Sequence, residues 1–134
     1  MNIKKLLILT IIGSLYTAGA WAYKIQLSNE TEGDIEISIL LGSCKKQVRL
    51  LQPGQQDTVD TDICCTGSVN IIGKSGPVEG LQIKNYRPKF GKEEIVVPVF
   101  GFLCGNYTVR VQQDPATKKL HIVNGNGKIA TQSK

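Results

Sequence analysis

Few residues in this 134-residue chain have the chemistry for a reaction: one histidine, four cysteines, two acidic clusters and one basic segment interleaved with aromatics. His121 lies between Leu120 and Ile122, so period-two alternation puts it on the polar face of a strand as an ordinary surface histidine. A nucleophilic site would need it within hydrogen-bond reach of a hydroxyl or thiol and of an orienting carboxylate, and no motif brings these together. The acidic clusters are Glu30-Thr31-Glu32-Gly33-Asp34 and Asp57-Thr58-Val59-Asp60-Thr61-Asp62. A glycoside hydrolase needs two carboxyls facing one another across a cleft, which spacing alone does not supply. A calcium loop needs a glycine-permitted turn and a closing bidentate acid. The second cluster lacks both and reads as a solvated loop or an edge strand. The glycines of Asn124-Gly125-Asn126-Gly127-Lys128 lack P-loop spacing and read as a hairpin turn or tail. The sequence thus assigns no catalytic residue, no metal site and no cofactor.

The basic segment is the most distinctive. In Lys84-Asn85-Tyr86-Arg87-Pro88-Lys89-Phe90-Gly91-Lys92, four cations and two aromatics fall within nine residues. Charge and ring contacts of this kind suit anionic or carbohydrate surfaces. Lys84, Tyr86, Arg87, Lys89, Phe90 and Lys92 therefore form the candidate binding loop. The bland alternative is a connecting loop with Tyr86 and Phe90 tucked onto the edge of the domain.

The cysteines depend on where the chain goes. Lys4 and Lys5 precede an apolar run, Leu6 to Leu9 with Ile11 and Ile12, and small residues follow: Ala18, Gly19, Ala20 and Ala22. Ala20-Trp21-Ala22 is an A-x-A cleavage signal, and a cut after Ala18-Gly19-Ala20 is the alternative. The apolar run is short for a bilayer span, which takes about 20 residues. Residues 1–22 are expected to be a cleaved signal peptide, and residues 23–134 a single secreted or periplasmic domain without a stable membrane anchor. That removes 22 residues and leaves 112, on which 14 Lys and Arg face 11 Asp and Glu, a net charge of +3. So mild a basic balance suits an unidentified protein or an anionic surface or polysaccharide, and the destination disfavours nucleic acid.

In an exported domain of this size, Cys44, Cys64, Cys65 and Cys104 read as two disulfides. A bridge between neighbours strains the backbone, so the pairing is 44–64 with 65–104, or 44–65 with 64–104. A zinc site is disfavoured because no C-x-x-C spacing is present. The sequons Asn29-Glu30-Thr31 and Asn106-Tyr107-Thr108 acquire meaning only in a host that glycosylates them.

The elements that must position these residues are strands. Ile25 and Leu27, then Ile35, Ile37, Ile39 and Leu41, then Tyr107, Val109 and Val111 alternate with polar neighbours. Weaker runs cover 44–51, 65–72, 78–86, 95–99 and 119–123. Turn chemistry separates them at Pro53-Gly54, Lys74-Ser75-Gly76-Pro77 and Asp114-Pro115. About eight short strands without an amphipathic helix predict an all-β antiparallel β-sandwich, with a small β-barrel as the alternative. Residues 128–134 are polar and expected to fray. The functional expectation is a non-enzymatic binding module outside the cytoplasm. A structural subunit of an extracellular assembly is the second reading and a small secreted hydrolase the third.

Overall fold

The computed structural model describes residues 23–42, 44–61, 66–87, 97–99, 102–104, 106–123 and 127–133. They hold eleven strands and one 3₁₀ turn at Gly76–Val78. A five-stranded sheet contains β1 (Lys24–Asn29), β4 (Gln56–Asp60), β9 (Tyr107–Gln113), β10 (Leu120–Val123) and β11 (Ile129–Gln132), in the order β11-β10-β9-β1-β4. A four-stranded sheet contains β2 (Ile35–Leu40), β3 (Gln47–Leu51), β5 (Ser68–Gly73) and β6 (Gln82–Tyr86), in the order β3-β2-β5-β6. β7 (Val97–Val99) and β8 (Phe102–Cys104) pair separately as a hairpin.

The expected alternation is what holds the two large sheets together. Ile25, Leu27, Val59, Val109, Val111, Leu120 and Ile122 from one sheet meet Ile35, Ile37, Ile39, Leu51, Val69, Ile71 and Ile83 from the other, all buried in one core. Each such side chain contributes about 1.5–3 kcal/mol on burial, so this apolar layer dominates the fold's stability. The all-β sandwich is therefore the architecture; the two sheets stay separate and close no barrel. Among the described pairings seven are antiparallel and one, β1 with β9, is parallel.

Two local expectations are corrected. Residues 129–132 do not fray: they form β11 against β10, and the Ser133 N–H donates to the Leu120 carbonyl at 2.7 Å. His121 does not lie on an open surface. It sits opposite Gln112 on one side and Gln132 on the other, and it is buried. Strand β10 is buried along its whole length, so alternation there separates two covered faces instead of core and water.

A buried polar node fixes the corner where the chain leaves the first sheet for the second. Asn29 is fully buried. Its Nδ2 donates to the Gly33 and Leu51 carbonyls at 2.8 and 2.9 Å. Its Oδ1 accepts from the Thr31 N–H at 3.0 Å and the Thr31 hydroxyl at 2.7 Å. Its backbone N–H and carbonyl engage Gln55 and Gly54 in the β3–β4 turn. One side chain thus ties the end of β1, the β1–β2 connection and the end of β3.

Candidate functional site

Strands β4, β1 and β9 lie side by side, and their registers line up the residues that point away from the core. Gln26 is opposite Thr58 on β4 and Thr108 on β9, and Ser28 is opposite Gln56 and Arg110. The result is two cross-strand rows, Thr58–Gln26–Thr108 and Gln56–Ser28–Arg110. Neighbouring strands are about 4.8 Å apart, so each row spans roughly 10 Å. The short Ser28 lies between two longer side chains, and the surface dips there into a shallow depression of about 480 Å³, lined also by Glu30 and Asp57.

The charges at the margin of this depression are engaged. The Arg110 guanidinium makes a two-pronged contact with Glu30, Nε to Oε2 at 3.0 Å and Nη2 to Oε1 at 2.9 Å. This bonding lowers the Glu30 carboxyl from its ordinary value. Asp57 pairs with Arg49 Nε at 3.1 Å, and the same guanidinium donates to the Val48 carbonyl and to Gln47. In contrast, Gln26, Ser28, Gln56, Thr58 and Thr108 make no side-chain hydrogen bond among the described residues.

A chain of contacts runs on from the ion pair. Gln112 Nε2 donates to Glu30 Oε2 at 3.3 Å, which turns its carbonyl toward His121 Nε2 at 3.1 Å. His121 therefore donates through Nε2, and its buried Nδ1 has no hydrogen-bond partner among the described residues. Its described hydrogen-bond partner is an amide, not a nucleophilic hydroxyl or thiol.

The expected basic loop is only partly brought together. Lys84 and Arg87 are exposed, whereas Tyr86 is half-buried and packs against the core. The cause is a bulge: Ile83 faces Ile71 and Tyr86 faces Val69, so two residues of β6, Lys84 and Asn85, oppose the single Asn70 of β5. Asn85 sits at the bulge with φ 56° and donates its N–H to Asn70 Oδ1 at 2.8 Å. The extra residue resets the parity and turns Tyr86 inward. Lys89, Phe90 and Lys92 lie outside the described residues. So do residues 1–22 with Ala20 and Ala22, as well as Cys64, Cys65 and the Cys104 side chain.

The acidic clusters likewise resolve into structure. Glu30 goes to Arg110, and residues 57–60 of the second cluster lie in β4, an edge strand. No group of three or more potential metal ligands occurs among the described residues. The sequons also separate: Asn29 is buried with its amide nitrogen occupied, whereas Asn106 is exposed and accepts the Lys24 N–H through Oδ1 at 2.7 Å. The depression was hidden in the sequence as the polar half of three alternating patterns. Its only signal was that Gln26, Ser28, Thr108 and Arg110 are the outward partners of buried residues.

Fold and site together define a β-sandwich protein with a polar depression on one outer face, its marginal charges paired. No family model matches the chain, and no curated protein is significantly similar to it. Among solved structures it is similar to a protein from Eubacterium rectale determined by NMR, at 15% identity over 80% of this chain and 91% of that one, with a TM-score of 0.52. At that identity the likeness concerns the fold.

Proposed function

We propose that the chain is a non-enzymatic binding module that works outside the cytoplasm and uses the outer face of β4, β1 and β9 to hold its ligand. The observation that carries this reading is the contrast inside the depression: its acids are paired with arginines, while five neutral polar side chains have hydrogen-bonding capacity to spare. A hydrolase reading is correspondingly weakened. A general acid must hold its proton near working pH, and Glu30 is shifted the opposite way. Export through residues 1–22 is consistent with β1 starting at Lys24, since a cut after Ala20 or Ala22 leaves β1 whole. Under the same proposal Cys44, Cys64, Cys65 and Cys104 pair in two disulfides; of the four only Cys44 has a described side chain, and it carries no free thiol.

The test is retention of partners from the protein's own surroundings by the immobilised mature chain and by a Ser28→Phe variant that fills the depression. A partner held by the wild type and lost by the variant supports the site, and equal retention overturns it. Intact mass of the exported protein covers the rest. A chain starting at Tyr23 or Trp21 with no alkylatable thiol is expected; a retained Met1 would overturn export, and four modifiable thiols would overturn the disulfides.

The structural-subunit reading has its own support. Val48 and Leu50, the latter 60% exposed, point outward from β3, an edge strand of the second sheet. Such an edge is a ready pairing surface. Oligomers that grow with concentration in light scattering, and vanish on Leu50→Lys, would favour it over the binding module. An anionic partner would meet the exposed Lys84 and Arg87.

A further inference from the structure

We infer that the depression takes a neutral, hydroxyl-rich ligand, a short stretch of uncharged glycan laid across β4, β1 and β9. This rests on the reading of that face as the contact surface and adds the class of ligand.

The argument is one of complementarity. Ser and Thr hydroxyls donate and accept, and Gln amides do both from adjacent atoms. Gln26, Ser28, Gln56, Thr58 and Thr108 therefore present mixed donors and acceptors in two rows, and none is spent on another described side chain. Sugar hydroxyls have the same double character and similar density.

An anion finds no free cation in the lining. Arg110 uses Nε and Nη2 on Glu30, and Arg49, beside Asp57, uses Nε and Nη1. Arg110 keeps N–H donors at Nη1, but its charge is balanced by Glu30, so a carboxylate or sulfate would meet a neutralised pair instead of a free cation. An apolar ligand finds no hydrophobic floor, because the one apolar lining residue, Leu27, is buried. Neutral and hydroxylated is the class that remains. The volume of about 480 Å³ lies within the usual range for small-molecule sites and suits a segment of about two sugar rings. Without an aromatic platform among the lining residues, single-site affinity should be in the millimolar range, so useful binding would come from repeated contacts along a polymer.

The experiment is a two-dimensional ¹⁵N NMR titration of the mature protein. The probes are neutral α-linked and β-linked hexose oligosaccharides and, separately, a sulfated oligosaccharide. Saturable shifts of the Ser28, Thr58 and Thr108 amides with a neutral oligosaccharide are expected, unchanged between low and high salt because no charge is exchanged. Ser28→Phe and the milder Thr108→Val should weaken that binding, by about tenfold or more for the former, with unaltered thermal melts. Absence of shifts with every neutral probe would overturn the ligand class. Salt-sensitive shifts of the same amides with the sulfated probe alone would also overturn it, yet leave the depression standing as a site. Shifts with a neutral probe that fall on Lys84 to Arg87 instead would overturn the depression itself.

Discussion

Replacing Asn29 by alanine tests the buried node at the β1–β2 corner. The change removes two donors and one shared acceptor from a site closed to water. The loss is not four independent bonds. The Gly33 carbonyl still accepts from the Thr31 hydroxyl, at 3.0 Å, so that hydroxyl and that carbonyl keep each other. The Leu51 carbonyl loses the Asn29 contact at 2.9 Å, and the Thr31 N–H loses its acceptor at 3.0 Å. An orphaned buried polar group costs about 1–3 kcal/mol, so two of them put the variant near 4 kcal/mol, roughly. That is a large share of the 5–15 kcal/mol typical of a domain, as an order-of-magnitude range. With a urea slope of about 2 kcal/mol per molar, the midpoint should fall by about 2 M. Asn29→Asp keeps the shape but turns two donors into acceptors facing two carbonyls, and it should be at least as damaging at neutral pH. Acid should restore part of the loss by giving the carboxyl a proton to donate. Equilibrium urea unfolding followed by circular dichroism measures all three proteins. A cost below about 1 kcal/mol for Asn29→Ala, or an Asp variant as stable as the wild type at pH 7, would refute the node as the lock of this corner.

Four other substitutions probe separate parts of the molecule. Glu30 has its folded pKa lowered from 4.5 by Arg110, so the pair's contribution is present above the unfolded value and is lost as pH falls through the folded one. Both side chains are one-third exposed, which holds the contribution to about 0.5–1 kcal/mol; Glu30→Gln should remove that increment of acid sensitivity in thermal melts from pH 7 to 3, and identical acid slopes would refute the pairing. Gly73→Ala should cost several kcal/mol, on the order of an overpacked core, because its Cβ would overlap the Val78 carbonyl, whereas Gly54→Ala meets open space and should cost only about 1 kcal/mol for its φ of +77°. Equal losses in urea titrations would contradict that account. Burial pushes the Tyr107 phenol above its ordinary range while it donates to Thr66 at 2.9 Å, so alkaline absorbance titration should show it silent until unfolding, and Tyr107→Phe should cost about 1 kcal/mol.

The strands that sequence patterning finds are those with one face in a core and the other in water. Ile25 with Leu27, and Tyr107 with Val109 and Val111, declare themselves because their neighbours are polar. β4 offers only Val59 as a buried residue, so its alternation has a single beat and an edge strand looks like an acidic loop. β11 has no buried residue at all; it exists because β10 presents an unpaired edge to it. His121 is misread for a related reason, since a strand covered on both sides has no wet face for a histidine to occupy. Tyr86 is displaced by a single extra residue in β6, and a one-residue shift exchanges the two faces of a strand. The depression was illegible for a different cause. Its rows combine β1, β4 and β9, and only β1 with β4 are near in sequence. No local pattern records that Gln26 will lie between Thr58 and Thr108.

The parallel pairing of β1 with β9 joins the question of fold to that of function. The Lys24 N–H reaches Asn106 Oδ1 across 82 residues of chain, and Ile25 to Asn29 run beside Tyr107 to Val111. An interior strand of its sheet thus finds one of its two neighbours only when most of the chain is available. Contacts of such sequence separation form slowly, because the loop entropy is lost before the pairing rewards it. For a chain exported as proposed, this order is an advantage: β1 emerges first and has no parallel partner until β9 follows it, so the sheet stays open during passage. The depression inherits the same dependence. Ser28 and Gln26 acquire Thr108 and Arg110 as neighbours only once β9 is available, so the surface proposed to bind cannot be complete before most of the chain has emerged.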